Sequence, residues 1–162
     1  MRLASAEQQS TSTEIALTDL YELLADQKSF LAALPTLKPA VGAYTSGHGV
    51  RAHPNTRRIR MHNGVDIANS PGTPILATAN GIVKFAGQKM GYGLTVIIDH
   101  GYGLESWYAH TRRVLVRTKD RIRRGTKIAL MGTSGHSTGS HLHYEIRIDG
   151  IPTDPLPYIL EY

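Results

Sequence analysis

A mainly β domain built on an antiparallel sheet, with one helix ahead of it, is the fold this sequence predicts. From Ala43 onward the apolar runs are short and rich in β-branched residues. Turn residues, glycine above all, separate these runs at intervals of about ten residues, as in all-β domains. Before Pro35 the apolar residues instead follow helical spacing.

In chain order, residues 1–10 are small and polar without periodicity and read as a frayed terminus. Thr11 and Glu14 have the spacing of a capping box, and Leu17, Leu20, Tyr21, Leu24 and Leu31 continue at helical intervals until Pro35. A helix over 12–34 is therefore expected, its apolar stripe either docked on the domain or part of a coiled coil. Pro35, Pro39 and Gly42 read as a linker. Residues 1–38 thus form a tail, helix and linker, and residues 39–162 the main domain. Strands are expected at Pro74–Ala77, Gly81–Phe85, Leu94–Asp99, Val114–Arg117, Lys127–Met131 and Leu142–Ile148, with a hairpin turn at Gly101-Tyr102-Gly103. Gly72–Gly87 and Arg123–Gly132 echo each other as paired G-T-x-I segments. Lipoyl-carrier barrels use such pairs, but neither segment offers a clear attachment lysine at a hairpin tip.

Composition narrows the function. A length of 162 residues suits one globular domain with a small appendage. Eighteen Lys+Arg against thirteen Asp+Glu give a net charge of +5, so an anionic or wall-like partner is favoured. With no cysteine there is no disulfide, thiol nucleophile or cysteine-type zinc site, and a metal has to be held by His, Asp or Glu. No apolar stretch approaches the roughly 18 residues needed to span a bilayer. Met1–Ser10 carries no apolar h-region and does not read as a signal peptide.

Eight histidines exceed what a core requires. In His62-Asn63-Gly64-Val65-Asp66 an imidazole and a carboxylate lie four positions apart, and Gly64 lets another backbone come close. In the run from His141 to Ile148, alternation puts His141, His143, Glu145 and Arg147 on one strand face and Leu142, Tyr144, Ile146 and Ile148 on the other. The second set is core. Two adjacent imidazoles beside an arginine are poorly explained by packing, and a metal resolves their desolvation cost. Period-2 reading likewise places Ser106, Tyr108 and His110 on one face. His62, Asp66 and His143 form a His2Asp donor set that leaves a fourth position open, as catalytic zinc sites do. His110 and His141 remain as non-ligands. The HExxH motif of helical zinc proteases is absent, so proton transfer falls to histidine.

These segments resemble the lysostaphin-type, or LytM-domain, zinc endopeptidases that cut peptide bonds in peptidoglycan. The resemblance runs from Val41 to Tyr158, through Thr45–Pro54, His62–Ala68, Pro71–Gly87, Gly91–Gly103, Trp107–His110 and Gly132–Ile146. It implies one zinc per chain on His62, Asp66 and His143, with His110 and His141 as the catalytic pair. The implied partner is peptidoglycan and the implied location the cell envelope, periplasmic or secreted. Departures are small: His48 stands where an aromatic such as Phe is usual, Thr111 where Leu is usual, and Ser140 where Pro is common. Some members of that family lose metal ligands and act as non-catalytic activators of wall hydrolases; this sequence keeps the ligands.

The other patterns have plainer readings. His53, His100 and His136 are expected in ordinary surface or loop roles. Gly132–His141 lacks the ending of a phosphate-binding loop and reads as a groove wall. Arg112, Arg113, Arg117, Lys119, Arg121, Arg123, Arg124 and Lys127 form a basic tract offset only by Asp120. No aromatics interleave with it, so nucleic acid is not the expected partner, and a solvated face or attraction to anionic wall polymers is.

Overall fold

The computed structural model of the chain describes residues 2–52 and 59–160, with side chains described over 14–51 and 59–160. The chain divides into two compact units, Met1–Ala32 and Ala33–Tyr162.

The first unit is the helix α1, Arg2–Ala33. It begins ten residues earlier than the capping-box spacing predicts. Residues 2–11 contain neither Gly nor Pro, and Ala4, Ala6, Glu7, Gln8 and Gln9 favour helix, so nothing stops the helix before Thr11. The Thr11 side chain lies outside the described residues. Polar residues within the helix bond backwards: Thr18 Oγ1 donates to the Glu14 carbonyl and Ser29 Oγ to that of Ala25, each at 2.9 Å. No helix among the described residues is long and apolar enough to cross a membrane.

The second unit is almost wholly β. Its strands are β1 (Ala43–Ser46), β2 (Gly49–Ala52), β3 (Ile59–His62), β4 (Val65–Ala68), β5 (Pro74–Leu76), β6 (Gly81–Lys89), β7 (Gly93–Gly101), β8 (Leu104–Val114), β9 (Arg121–Ile122), β10 (Lys127–Met131), β11 (His141–Ile148) and β12 (Ile151–Thr153). Among the described residues, ten of them form one antiparallel sheet whose main path runs β1-β4-β11-β8-β7-β6-β9. β10 pairs with β5 and β8, and β12 with β11, while β2 and β3 form a separate ribbon. The two G-T-x-I segments pair with each other, Ala129 opposite Ile75 and Leu130 opposite Pro74.

Turn chemistry sets the register. Tyr102 and Gly103 both have positive φ, 54° and 74°, and close the β7–β8 hairpin where the sequence predicts it. Asp149 and Gly150, at 50° and 80°, do the same between β11 and β12. The expected strand over Val114–Arg117 is not formed. Val114 ends β8, and the next residues turn so that Lys119 N–H donates to the Val83 carbonyl and Asp120 accepts from Val83 N–H.

One face of the sheet carries the core: Val65, Ile67, Ile75, Val83, Val96, Ile98, Tyr108, Ile128, Met131, Leu142, Tyr144 and Ile146. Its two tyrosines keep their hydroxyls satisfied, since Tyr108 bonds Thr78 and Ser106 and Tyr144 donates to Thr78 Oγ1. The stretch after α1 is tied to this core. Thr36 accepts from Leu160 N–H, Leu37 donates to Thr78, Pro39 accepts from Leu76 N–H, and Ala40 is buried. It is therefore bound along the domain rather than a free linker.

Candidate metal centre

The opposite face of β4, β8 and β11 forms the floor of an open groove of about 490 Å³. Alternation with Val65 and Ile67 turns Asp66 into this groove, and Asp66 lies directly opposite His143 in the β4–β11 pairing. His62 ends β3, and the sharp return into β4 passes through Gly64. There a side chain is impossible, because a Cβ would sit 2.1 Å from the Tyr144 carbonyl oxygen.

Three donor atoms meet at this point. His62 Nε2 lies 3.1 Å from Asp66 Oδ1 and 3.0 Å from His143 Nδ1, and His143 Nδ1 lies 2.9 Å from Asp66 Oδ1. Donors about 2.0–2.1 Å from a tetrahedral ion stand about 3.3 Å apart, so the triangle is only a few tenths tighter than such an ion needs. The protonation pattern fits a cation as well. His62 Nδ1 faces the Gly47 carbonyl at 2.7 Å, which can only accept, so Nδ1 carries the hydrogen and Nε2 presents a lone pair inward. His143 Nε2 faces Glu145 Oε1 at 3.0 Å, leaving Nδ1 inward by the same logic. Two lone pairs and a carboxylate at van der Waals range require a proton or a metal between them. Burial opposes a charge on His143, yet hydrogen bonds to Asp66 and Glu145 outweigh it and lift the ring to about 9. Burial also opposes the Asp66 carboxylate, and the bonds from His143 and His62 nevertheless hold it well below the usual carboxylate range.

His110 and His141 reach the same groove. Their ring centroids are 4.8 Å apart, and His110 is 5.9 Å from His143. His110 Nδ1 donates to the Ser134 carbonyl at 2.7 Å and His141 Nδ1 to that of Gly139 at 2.9 Å, so Nε2 is the nitrogen that each ring leaves for the groove. His141 Nε2 stands 3.8 Å from Asp66 Oδ1, outside the donor triangle. Burial, with the neighbouring His141 and His143, lowers His110 to about 4 against a partial lift from Ser134, so it is neutral at pH 7.

Strict alternation fails at His110. Tyr108 points into the core, and His110, two residues on, enters the groove on the opposite face rather than sharing a face with Ser106 and Tyr108. A bulge causes the switch: β8 uses three steps, from Tyr108 to Thr111, where β7 uses two, from Val96 to Leu94. His110 itself has φ 59°, a left-handed conformation that costs a non-glycine residue about 1–2 kcal/mol.

Sequence reasoning gave no role to several residues that hold the site. Glu145 is fully buried and joins His143, Arg147 and the Tyr92 hydroxyl, with Oε1 2.8 Å from the last. Burial opposes the Glu145 carboxylate, but His143 and Arg147 hold it ionised. The Arg147 guanidinium stacks 3.7 Å from the centre of the Trp107 ring. The signal for Glu145 was its place on the His141 and His143 face. Arg51 pairs with Asp66 Oδ2 at 3.2 Å. His136 lies exposed on a loop, as expected, and that loop lines the groove, whereas His100 is buried, its ring between the Asn80 carbonyl and Ser106 Oγ. His53 lies outside the described residues.

Residues 60–155 match peptidase family M23. The chain belongs to this family. It is 42% identical over 116 residues to the DD-carboxypeptidase/endopeptidase Mpg of Neisseria meningitidis, covering 72% of this chain and 27% of that protein. It is 44% identical over 99 residues to the murein hydrolase activator NlpD of Escherichia coli, covering 60% and 26%. The chain thus spans about a quarter of the length of these curated relatives. Among solved structures, a zinc-containing peptidase from Vibrio cholerae matches with TM-score 0.65 at 34% identity, over 74% of this chain and 38% of that one. The catalytic domain of lysostaphin from Staphylococcus simulans matches with TM-score 0.66 at 28% identity, over 72% and 91%. Both the lysostaphin-type resemblance and the mainly antiparallel β fold are borne out as those of an M23 domain.

Proposed function

We propose that this M23 chain is a zinc-dependent endopeptidase of the cell envelope that hydrolyses peptide bonds in the stem or cross-bridge peptides of peptidoglycan. The observation that carries the reading is the convergence of His62 Nε2, Asp66 Oδ1 and His143 Nδ1 at 2.9–3.1 Å on the groove floor. These three would hold one zinc ion, which when bound supplies Lewis acidity to a peptide carbonyl and acidifies water. Asp66 and His143 fix two donors across one strand pair, and Glu145 orients His143 from behind. His110, neutral and with Nε2 free, is suited to take a proton from water, and His141 beside it to steady the developing oxyanion or pass the proton to the leaving amine. The groove is open enough for an extended peptide, and the exposed basic tract from Arg112 to Lys127 suits anionic wall polymers.

A second reading is favoured by the 44% identity to a murein hydrolase activator: a module that occupies the wall through this groove and stimulates another hydrolase without turnover. Digestion of purified sacculi by the zinc-loaded chain separates the two. The endopeptidase reading expects fragments with new amino termini and no new reducing sugars, and their loss in Asp66→Ala. Intact sacculi together with a bound metal would favour the activator, and sugar ends alone would refute both.

A further inference from the structure

The ribbon of β2 and β3 carries a charge that the metal centre does not use. Arg51 and Arg60 are direct cross-strand partners, so their side chains leave the same face of the ribbon, and both line the groove. Like charges in this position repel. Arg51 is committed to Asp66 Oδ2 at 3.2 Å. Arg60 is exposed and has no ion-pair partner among the described residues. It lies two residues before His62 on the same strand, hence on the same face and about 6–7 Å along it. A groove residue from another element is also unsatisfied: among the described residues, the buried Ser140 Oγ has no hydrogen-bond partner. An unpaired buried hydroxyl costs about 1–3 kcal/mol unless a ligand completes it.

We infer that Arg60 forms a carboxylate subsite: it binds a free carboxylate of the peptide about two residues from the bond held at the metal centre, and so selects for acidic over amidated substrates. The inference rests on the peptide-substrate reading above. An exposed planar guanidinium matches a carboxylate in bidentate fashion, and the neighbouring Arg51 adds positive potential without competing for the anion. The carboxylate can come from the peptide's C-terminus or from an acidic side chain.

Three synthetic stem-type peptides of one sequence test this: one with all carboxylates free, one with only the C-terminus amidated, and one with only the side-chain carboxylates amidated. Binding to the full chain is followed by NMR titration, and cleavage by the zinc-loaded chain is measured in parallel. One of the two amidations should weaken binding about ten- to a hundredfold, the usual worth of a charge-assisted hydrogen-bond pair. Which amidation does so identifies the source of the carboxylate. In Arg60→Gln the ratio of free-acid to amide binding should fall to near one, and Arg60→Lys should restore part of it. Equal binding of all three peptides by the unaltered chain would overturn the subsite, as would discrimination that survives in Arg60→Gln. Because the binding ratio does not depend on turnover, discrimination without cleavage would refute the endopeptidase alone, and cleavage without discrimination would refute the subsite alone.

Discussion

Each histidine of the centre has one ring nitrogen committed outward, and that commitment decides what the inner nitrogen can do. His62, His110 and His141 give their hydrogens to the carbonyls of Gly47, Ser134 and Gly139, while His143 gives its hydrogen to Glu145. Only the last partner is a charged side chain, so it is the one that substitution can remove. Glu145→Gln should keep the shape of the floor but weaken zinc binding about 10–100-fold, the usual effect of losing such a partner. Competition against a chromogenic chelator measures this, and unchanged affinity would show that Glu145 merely fills space. His110→Ala and His141→Ala should behave differently from the donor set. Both should retain stoichiometric zinc while the cleavage rate falls about 10²–10⁴-fold, the range for a positioned acid or base. Loss of metal from either variant would move that residue into the ligand set.

At the scale of elements, the centre depends on a bulge and a loop holding each other. Ser134 Oγ donates to the Thr111 carbonyl and accepts from Leu94 N–H, while the Ser134 carbonyl fixes His110. This fit requires close backbones: at Gly135, φ +74°, an added Cβ would lie 2.4 Å from Gly93 N. Gly135→Ala should therefore push the loop off β7 and release His110 from its carbonyl. Since a displacement of about 1 Å can cost 10²-fold in rate, turnover should drop by that order while zinc binding, for which the proposed donors lie on β3, β4 and β11, should be retained. Metal analysis beside the rate assay decides it, and full activity would mean that the loop does not position His110.

For the whole molecule, one buried histidine among the described residues lies away from the centre. His100 is held between Asn80 and Ser106, and burial lowers its pKa despite a partial lift from the Asn80 carbonyl. Unfolded chain takes up a proton near pH 6.5 while the folded chain does not, so stability falls as pH drops from about 6.5 toward the lower folded value. Thermal unfolding across pH 5–8 should show this slope, and His100→Gln, though less stable at pH 7, should flatten it. An equal slope in that variant would exclude His100 as its source. The boundary between units gives a second expectation. A chain starting at Ala33 should keep zinc and its melting point, because the core lies within that unit. Starting at Pro39 removes the Leu160–Thr36 and Leu37–Thr78 bonds and should cost about 1–3 kcal/mol in denaturant unfolding. Equal stability of the two chains would show that residues 33–38 add nothing.

The sequence by itself determined the donor types, the strand faces of β11 and the hairpin at Tyr102-Gly103, because alternation and turn preference are local properties of the chain. Leu142, Tyr144 and Ile146 are buried and His141 and His143 face the groove for that reason alone. Tertiary structure decided what depends on partners distant in sequence. The bulge that turns His110 to the groove arises from β7, the pairing of β5 with β10 joins segments about fifty residues apart, and the loop after Val114 is shaped by Val83. The burial of Glu145 has both origins: alternation alone sets the carboxylate beside His143 and Arg147, which offset its charge, whereas only the fold brings up the Tyr92 hydroxyl from 53 residues away to bond it and cover it from water.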